Sequence, residues 1–163
     1  MTDENRFDPR NVRAFAEAWY AALDLHLPFA QAEAFLAPEG LRMIFPEKTL
    51  HGMGDFAAWY GGGTYQDGEQ APGVINLFFD EAHRVLEVES RRTATGAEVD
   101  IVVGWQASWF VPPEPHPRRT SMNAHQHWEV IAAPDGRNPF GLVIVAYNAM
   151  AKPFEYAPGF ARL

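Results

Sequence analysis

Val99-Asp100-Ile101-Val102-Val103-Gly104-Trp105-Gln106-Ala107-Ser108-Trp109 is the stretch whose reading decides the fold. Val99, Ile101, Val103, Trp105, Ala107 and Trp109 occupy alternate positions, with Glu98, Asp100, Gln106 and Ser108 on the others. Successive side chains of a strand point to opposite faces, so this is a long strand with one apolar face. Downstream, Thr120–Ala133 and Leu142–Met150 read as further strands, separated by Asp135-Gly136-Arg137-Asn138-Pro139. Upstream, Val74–Phe79 and Val85–Thr93 are strand candidates rich in β-branched and aromatic residues. Thr95-Gly96 stands where a short hairpin loop calls for a positive φ. The segment from Pro112 to Pro117 is a stiff loop, because proline cannot sit in a central strand.

Before Gly73 the period is helical. Asp8-Pro9 is a capping residue followed by proline at the first helical position. Val12, Phe15, Ala16, Trp19, Tyr20 and Leu23 then form one apolar stripe. Pro28 opens a short second helix (Phe29, Ala32, Phe35, Leu36) that Pro38-Glu39-Gly40 ends, and Leu41 to Phe45 is a short strand stopped by Pro46. Gly54-Asp55 begins a third helix with Phe56, Trp59 and Tyr60, which Gly61-Gly62-Gly63 terminates. The tail Lys152–Leu163 reads as irregular. Helices first and long strands after them define an α+β class. The expectation is one domain over residues 1–163, its ordered core running from about residue 8 to 151. Three N-terminal helices then pack on a strongly curved antiparallel sheet.

Composition narrows the function. Lys and Arg total 13 against 21 Asp and Glu, a net charge of −8. That balance argues against a nucleic-acid partner, since phosphate binding needs a surplus of cations. Cys 0 excludes a disulfide scaffold and a thiol nucleophile. No run approaches the ~20 apolar residues of a membrane helix. The charged start MTDENRFDPR is unlike a secretory signal, so a cytoplasmic location and no membrane partner are expected. Neither a GxGxxG nor a Walker-type loop occurs, and no cofactor is expected.

Three local patterns together resemble the NTF2-like superfamily, whose cone fold is shared by ketosteroid isomerase, SnoaL-type cyclases, scytalone dehydratase and ring-hydroxylating dioxygenase small subunits. Ala18-Trp19-Tyr20 with Leu23 is similar to its first-helix signature. Phe45-Pro46, Leu50-His51-Gly52 and Phe56-Ala57-Ala58-Trp59-Tyr60 resemble its strand, turn and third helix. The long hairpin and His127-Trp128-Glu129-Val130 resemble its closing strands. The run Val103–Trp109 looks like a SnoaL-like subgroup without an assigned activity. The resemblance implies a deep apolar pocket between helices and sheet, taking a small apolar or aromatic ligand.

Carried over position by position, the resemblance puts Tyr20 at the oxyanion tyrosine of the first helix and Tyr60 at a supporting tyrosine on the third. A second supporting tyrosine falls near Leu36 and is missing. The general-base aspartate of the isomerases falls on Phe45, whose ring accepts no proton. The protonated aspartate falls near Gln126, and a last-strand pocket residue falls on Asn148. Trp59 completes the expected pocket wall. Tyr20 is then the main polarising group, Gln126 the second donor and Asn148 an orienting group, with His51 at the cavity mouth as the proton acceptor.

The remaining histidines read as structural. His125 and His127 share a strand face with Ser121, Asn123 and Glu129, the outward side, and hold no metal because a third ligand is lacking. His83, beside Asp80-Glu81, reads as part of a solvated turn; His26 reads as a helix cap. Arg91-Arg92 and Arg118-Arg119 read as solvated strand ends. Trp105, Trp109 and Trp128 on long strands suggest a homodimer through the convex sheet face. Two functions remain open: a cofactor-independent isomerase, dehydratase or cyclase, and a non-catalytic ligand-binding or dimerisation module.

Overall fold

A computed structural model describes residues 2–163. The chain opens with a short helix α1 (Asp3–Arg6) and the long α2 (Pro9–Asp24). The Asp8 carboxylate accepts from the Arg10 backbone N–H at 2.8 Å, with Pro9 in the first turn, as the capping pattern predicts. Every residue of the predicted stripe, from Val12 to Leu23, is buried. A turn of helix α3 (Phe29–Ala32) tightens into a 3₁₀ turn (Glu33–Phe35). Strands β1 (Arg42–Ile44) and β2 (Thr49–His51) form a hairpin leading into α4 (Gly52–Gly61). At its end the Gly62 N–H donates to the Ala58 carbonyl at 2.8 Å, and Gly62 takes φ +93, which glycine alone adopts at no steric cost.

Two minimal strands, β3 (Gly63–Thr64) and β4 (Gln70–Ala71), follow, and then a helical turn α5 (Val74–Leu77). That turn corrects the strand expected over Val74–Phe79. The chain leaves Gly73 at φ +86 so close to the end of α4 that a Cβ there would lie 2.5 Å from the Gly62 nitrogen. The Asn76 amide donates to the carbonyls of Gly61 and Pro72, tying the turn to α4. Tertiary anchoring overrides the β-propensity of Val-Ile-Asn-Leu.

The sheet is built from β5 (Phe79–Arg92), β6 (Gly96–Trp109), β7 (Arg118–Ala132) and β8 (Leu142–Asn148). Its order is β2-β1-β8-β7-β6-β5, and β9 (Glu155–Tyr156) adds to β7. All pairings are antiparallel except the short β1–β8 pair, so the sheet is mixed where an antiparallel one was expected. The tail is likewise more regular than expected. Besides β9, Ala157 and Ala161 donate to the carbonyls of Ser121 and Arg119, laying the tail along the free first half of β7. The glycine of Thr95-Gly96 does not supply a positive φ. It is required because a Cβ would lie 2.0 Å from the Val130 carbonyl oxygen.

Directly paired residues share a face. On the inner face of β6 and β7, Val99 meets Trp128, Ile101 meets Gln126, Val103 meets Ala124 and Trp105 meets Met122. On the convex face Asp100 meets His127 and Val102 meets His125. Trp19, Trp128, Phe15, Phe56, Leu36 and Ile144 fill the core between helices and sheet. No helix among the described residues is long and apolar enough to cross a membrane.

Candidate functional site

A cavity of about 790 Å³ opens between α4, the α5 turn, the inner face of the sheet and the C-terminal tail. Phe45 and Trp59 stack at 4.1 Å with 17° between their planes, and Tyr147 packs against Phe45 at 5.4 Å. These rings form one apolar wall. The Trp59 indole N–H donates to Glu47 at 2.8 Å, which fixes the ring's orientation.

Opposite lies a polar group that sequence reading placed in solvent. At Asp80 strand β5 carries one extra residue: Phe79 pairs with Ser108, yet Ala82 pairs with Gln106. Asp80 absorbs the bulge at φ +51, a region that Asp tolerates better than most side chains. Beyond the bulge the parity puts Ala82 and Arg84 outward, and His83 inward beside Trp105. Glu81 and His83 both line the cavity. His83 Nδ1 lies 2.5 Å from an Asp24 carboxylate oxygen at the end of α2, and the other oxygen accepts from the His83 backbone N–H at 2.8 Å. Gripping both groups fixes the imidazole relative to the helix. Because Asp24 engages Nδ1, Nε2 is the nitrogen left for a ligand. The His83 ring also stacks on Tyr20 at 4.7 Å.

Glu81 accepts from the Trp105 indole N–H at 3.1 Å, and its other oxygen lies 3.5 Å from His26 Nε2. Burial raises its pKa above the ordinary carboxylate value, while the nearby His83, the Trp105 hydrogen bond and His26 pull the other way. His26 is held at φ +48, just past the end of α2, so its ring faces Glu81 rather than capping the helix. Among the described residues no three His, Asp or Glu side chains converge as a metal site. His125 and His127 pair instead with separate carboxylates, Glu155 at 3.0 Å and Asp100 at 2.7 Å.

The structure distributes the remaining sequence candidates unevenly. Phe45, Trp59, Tyr60 and Gln126 line the cavity. Tyr20 lies behind the wall, 1% exposed, and its hydroxyl donates to Gln126 Oε1 at 2.9 Å. The Trp128 indole N–H donates to the same oxygen at 3.1 Å. An indole N–H is only a donor, so this contact fixes which end of the amide is oxygen. Tyr20 therefore orients Gln126 rather than meeting a ligand. The Trp19, Tyr20 and Gln126 side chains surround the Tyr147 hydroxyl and favour its ionised form, but burial outweighs them and pushes Tyr147 up to about 12. Tyr60 donates its hydroxyl to the Leu27 carbonyl and so tethers the loop carrying His26.

Two candidates are misplaced. Asn148 pairs with His127, which puts it on the convex face, where its side chain accepts from the Met150 N–H at 2.9 Å. The irregularity between Glu129 and Val130 sets that parity, and Tyr147 takes the inward position. His51 sits at the β2–α4 junction opposite Arg42, exposed and off the cavity wall. Its backbone N–H donates to Asp55, which caps the entry to α4. The missed residues are Asp24, Glu81 and His83. Alternation gives no signal for Glu81 and His83, because β5 carries a second extra residue between Val85 and Glu87 and the inward face passes from Val88 to Val85, His83 and Glu81. The tryptophans that suggested a dimer are also accounted for within one chain: Trp128 is in the core and Trp105 and Trp109 line the cavity.

No protein-family model matches the sequence, and no curated protein matches it significantly. Solved structures do match its shape. An NTF2-like superfamily protein from Salmonella enterica aligns over 94% of this chain and 92% of its own, at 13% identity and a TM-score of 0.60. A dehydratase candidate of the NTF2-like family from Streptomyces avermitilis covers 90% of this chain and 96% of its own, at 14% identity and 0.58. The CaMKII hub of S. rosetta covers 91% and 96%, at 13% identity and 0.57. The chain has the NTF2-like cone fold.

Proposed function

We propose that the protein is an acid–base enzyme of the isomerase or dehydratase kind, needing no cofactor and acting on a small, mainly apolar carbonyl compound. The Asp24–His83 pair carries this reading: a carboxylate-oriented imidazole on the wall of an apolar cavity. Imidazole is the side chain most used for proton transfer near neutral pH. His83 Nε2 takes the proton from the carbon beside the ligand carbonyl, and Asp24 stabilises the imidazolium through Nδ1–H. The electron pair moves onto the carbonyl oxygen, which the Gln126 NH₂ group polarises from the neighbouring wall. Returning the proton to a different carbon isomerises the ligand. In dehydration, Glu81, whose protonated form burial favours, gives its proton to a departing β-hydroxyl, which leaves as water.

The test is solvent exchange. In D₂O, enolisable aromatic ketones should incorporate deuterium at the α-carbon, as read by proton NMR. His83→Gln should lower that rate at least ~100-fold, the scale of general-base catalysis. Binding of aromatic ketones without exchange by the wild type would replace the enzyme reading with the ligand-binding module.

A second copy of the chain on the convex face remains part of the proposal. Val102 and Gly104 form a small centre there, bordered by the Asp100–His127 and Glu155–His125 pairs. Light scattering at micromolar concentration reads it, and a single 18.3 kDa species would exclude it.

A further inference from the structure

Among the described residues, the Asp, Glu, Lys and Arg side chains on the cavity wall are Glu47, Glu81, Arg118 and Arg162. Three are engaged. Glu47 accepts from Trp59 at 2.8 Å, Glu81 accepts from Trp105 at 3.1 Å, and Arg118 forks onto Glu114 at 2.6 and 3.1 Å. Among the described residues Arg162 has no carboxylate partner, and its guanidinium lies over the Tyr156 ring, 5.1 Å from the centroid. A guanidinium held by an aromatic face keeps its N–H fork free for an anion.

Its place relative to His83 follows from the strand register. Tyr156 pairs with Met122, Met122 with Trp105, and Trp105 with His83. The four side chains make one row across the concave wall, His83 at one end and Tyr156 at the other. Three strand spacings of about 4.8 Å separate those ends by roughly 14 Å. Trp105 and Met122 form the bed between them, and Phe78 stands edge-on to Trp105 at 5.3 Å. A flat apolar bed with a base at one end and a free cation at the other suits a rigid aromatic body carrying one anionic end.

We infer that the cavity takes an aromatic carboxylate, its anionic end on Arg162 and its reacting carbon at His83. The inference rests on the proton-transfer reading for the direction in which the ligand lies, not for the anion site itself. The net charge of −8 makes the preference diagnostic, since the field of the whole protein disfavours anions.

The probes are 6-acetyl-2-naphthoic acid and its methyl ester, which hold a ketone and a carboxyl group at opposite ends of one rigid frame. By calorimetry at low salt the acid should bind about tenfold more tightly than the ester, as a charge-assisted pair provides. The gap should narrow as salt rises. Arg162→Gln should remove the difference. Arg10→Gln, a change of the same charge at a fully solvated site remote from the cavity, should leave it intact. Equal binding of acid and ester, equal weakening of both by Arg162→Gln, or binding of neither probe would overturn the inference. Deuterium exchange at the acetyl methyl group is read separately. An Arg162-dependent preference without exchange keeps the anion site and rejects proton transfer, whereas exchange without the preference does the reverse.

Discussion

Strands β5 to β7 carry histidine–carboxylate pairs on both faces of one sheet, and the two faces treat them differently. On the concave side His83 meets Asp24 at 2.5 Å, with the side chains 11% and 21% exposed. On the convex side His127 meets Asp100 at 2.7 Å, with exposures of 37% and 71%. The pairs are chemically alike and similar in length. What separates them is solvent: the attraction between two charges grows several-fold as the effective dielectric falls from that of water to that of a protein interior. Outside, ions and water screen the pair and its net worth is small. Inside, the carboxylate holds the ring in one orientation next to an apolar space. A pair of residue types is therefore not a site until its surroundings exclude water.

The contrast breaks most visibly at the carboxylates. Asp24→Asn should lower the rate of α-deuterium exchange ~100-fold or more, as loss of the orienting carboxylate does in other His-based sites. Asp100→Asn should leave the rate within twofold. Equal effects in the exchange assay would show that the burial difference carries no function.

Tyr20→Phe sharpens the boundary between wall and core. It removes one of two donors to Gln126 Oε1 and leaves Trp128 in place. The expected result is a stability loss of about 1 kcal/mol by denaturant titration. The rate should fall less than tenfold, against the ~100-fold expected of a donor touching the ligand.

Glu81 separates the faces by pH. Burial raises its folded-state pKa above the ordinary 4.5, so between the two values the folded protein binds more protons than the unfolded one. Its contribution is fully present below 4.5 and is lost as pH rises through the folded value. Thermal melts should therefore show wild type losing ground to Glu81→Gln as pH rises through that window. Parallel curves would mean that Glu81 is solvated as freely as the outer carboxylates. The smallest effect belongs to the convex face: His127→Ala should change stability by ~0–1 kcal/mol, shrinking at 1 M salt.

Periodicity made most of the molecule legible. The α2 stripe needed only the 3.6-residue repeat, and the faces of β6 and β7 needed only alternation, because one side of each is dry and a slip would bury charge. On that basis Gln126 reads inward and His125 and His127 outward, as the structure has them. Parity failed wherever a strand carried an extra residue. The extra residues of β5 at Asp80 and between Val85 and Glu87, and the irregularity of β8 opposite Glu129, depend on partner strands, and they set His83 inward and Asn148 outward. The α5 turn failed for another reason: Val-Ile-Asn-Leu favours a strand locally, and only its anchorage to α4 through Asn76 makes it helical.

The cavity residues Phe45, Trp59 and Tyr60 were reached only through the family resemblance; by itself, the sequence determined the class of fold and the dry faces of α2, β6 and β7. Those readings depend on residue types and on repeats within one segment. Only the tertiary structure decided which polar groups meet at the cavity. Asp24 and His83 lie 59 residues apart, and Tyr20 and Gln126 lie 106 apart. Each pairing exists because a bulge or a strand register brings together groups whose local sequences contain no trace of one another. Spacing along a chain encodes one element's faces, whereas a site is made between elements, where burial sets the strength of every charge.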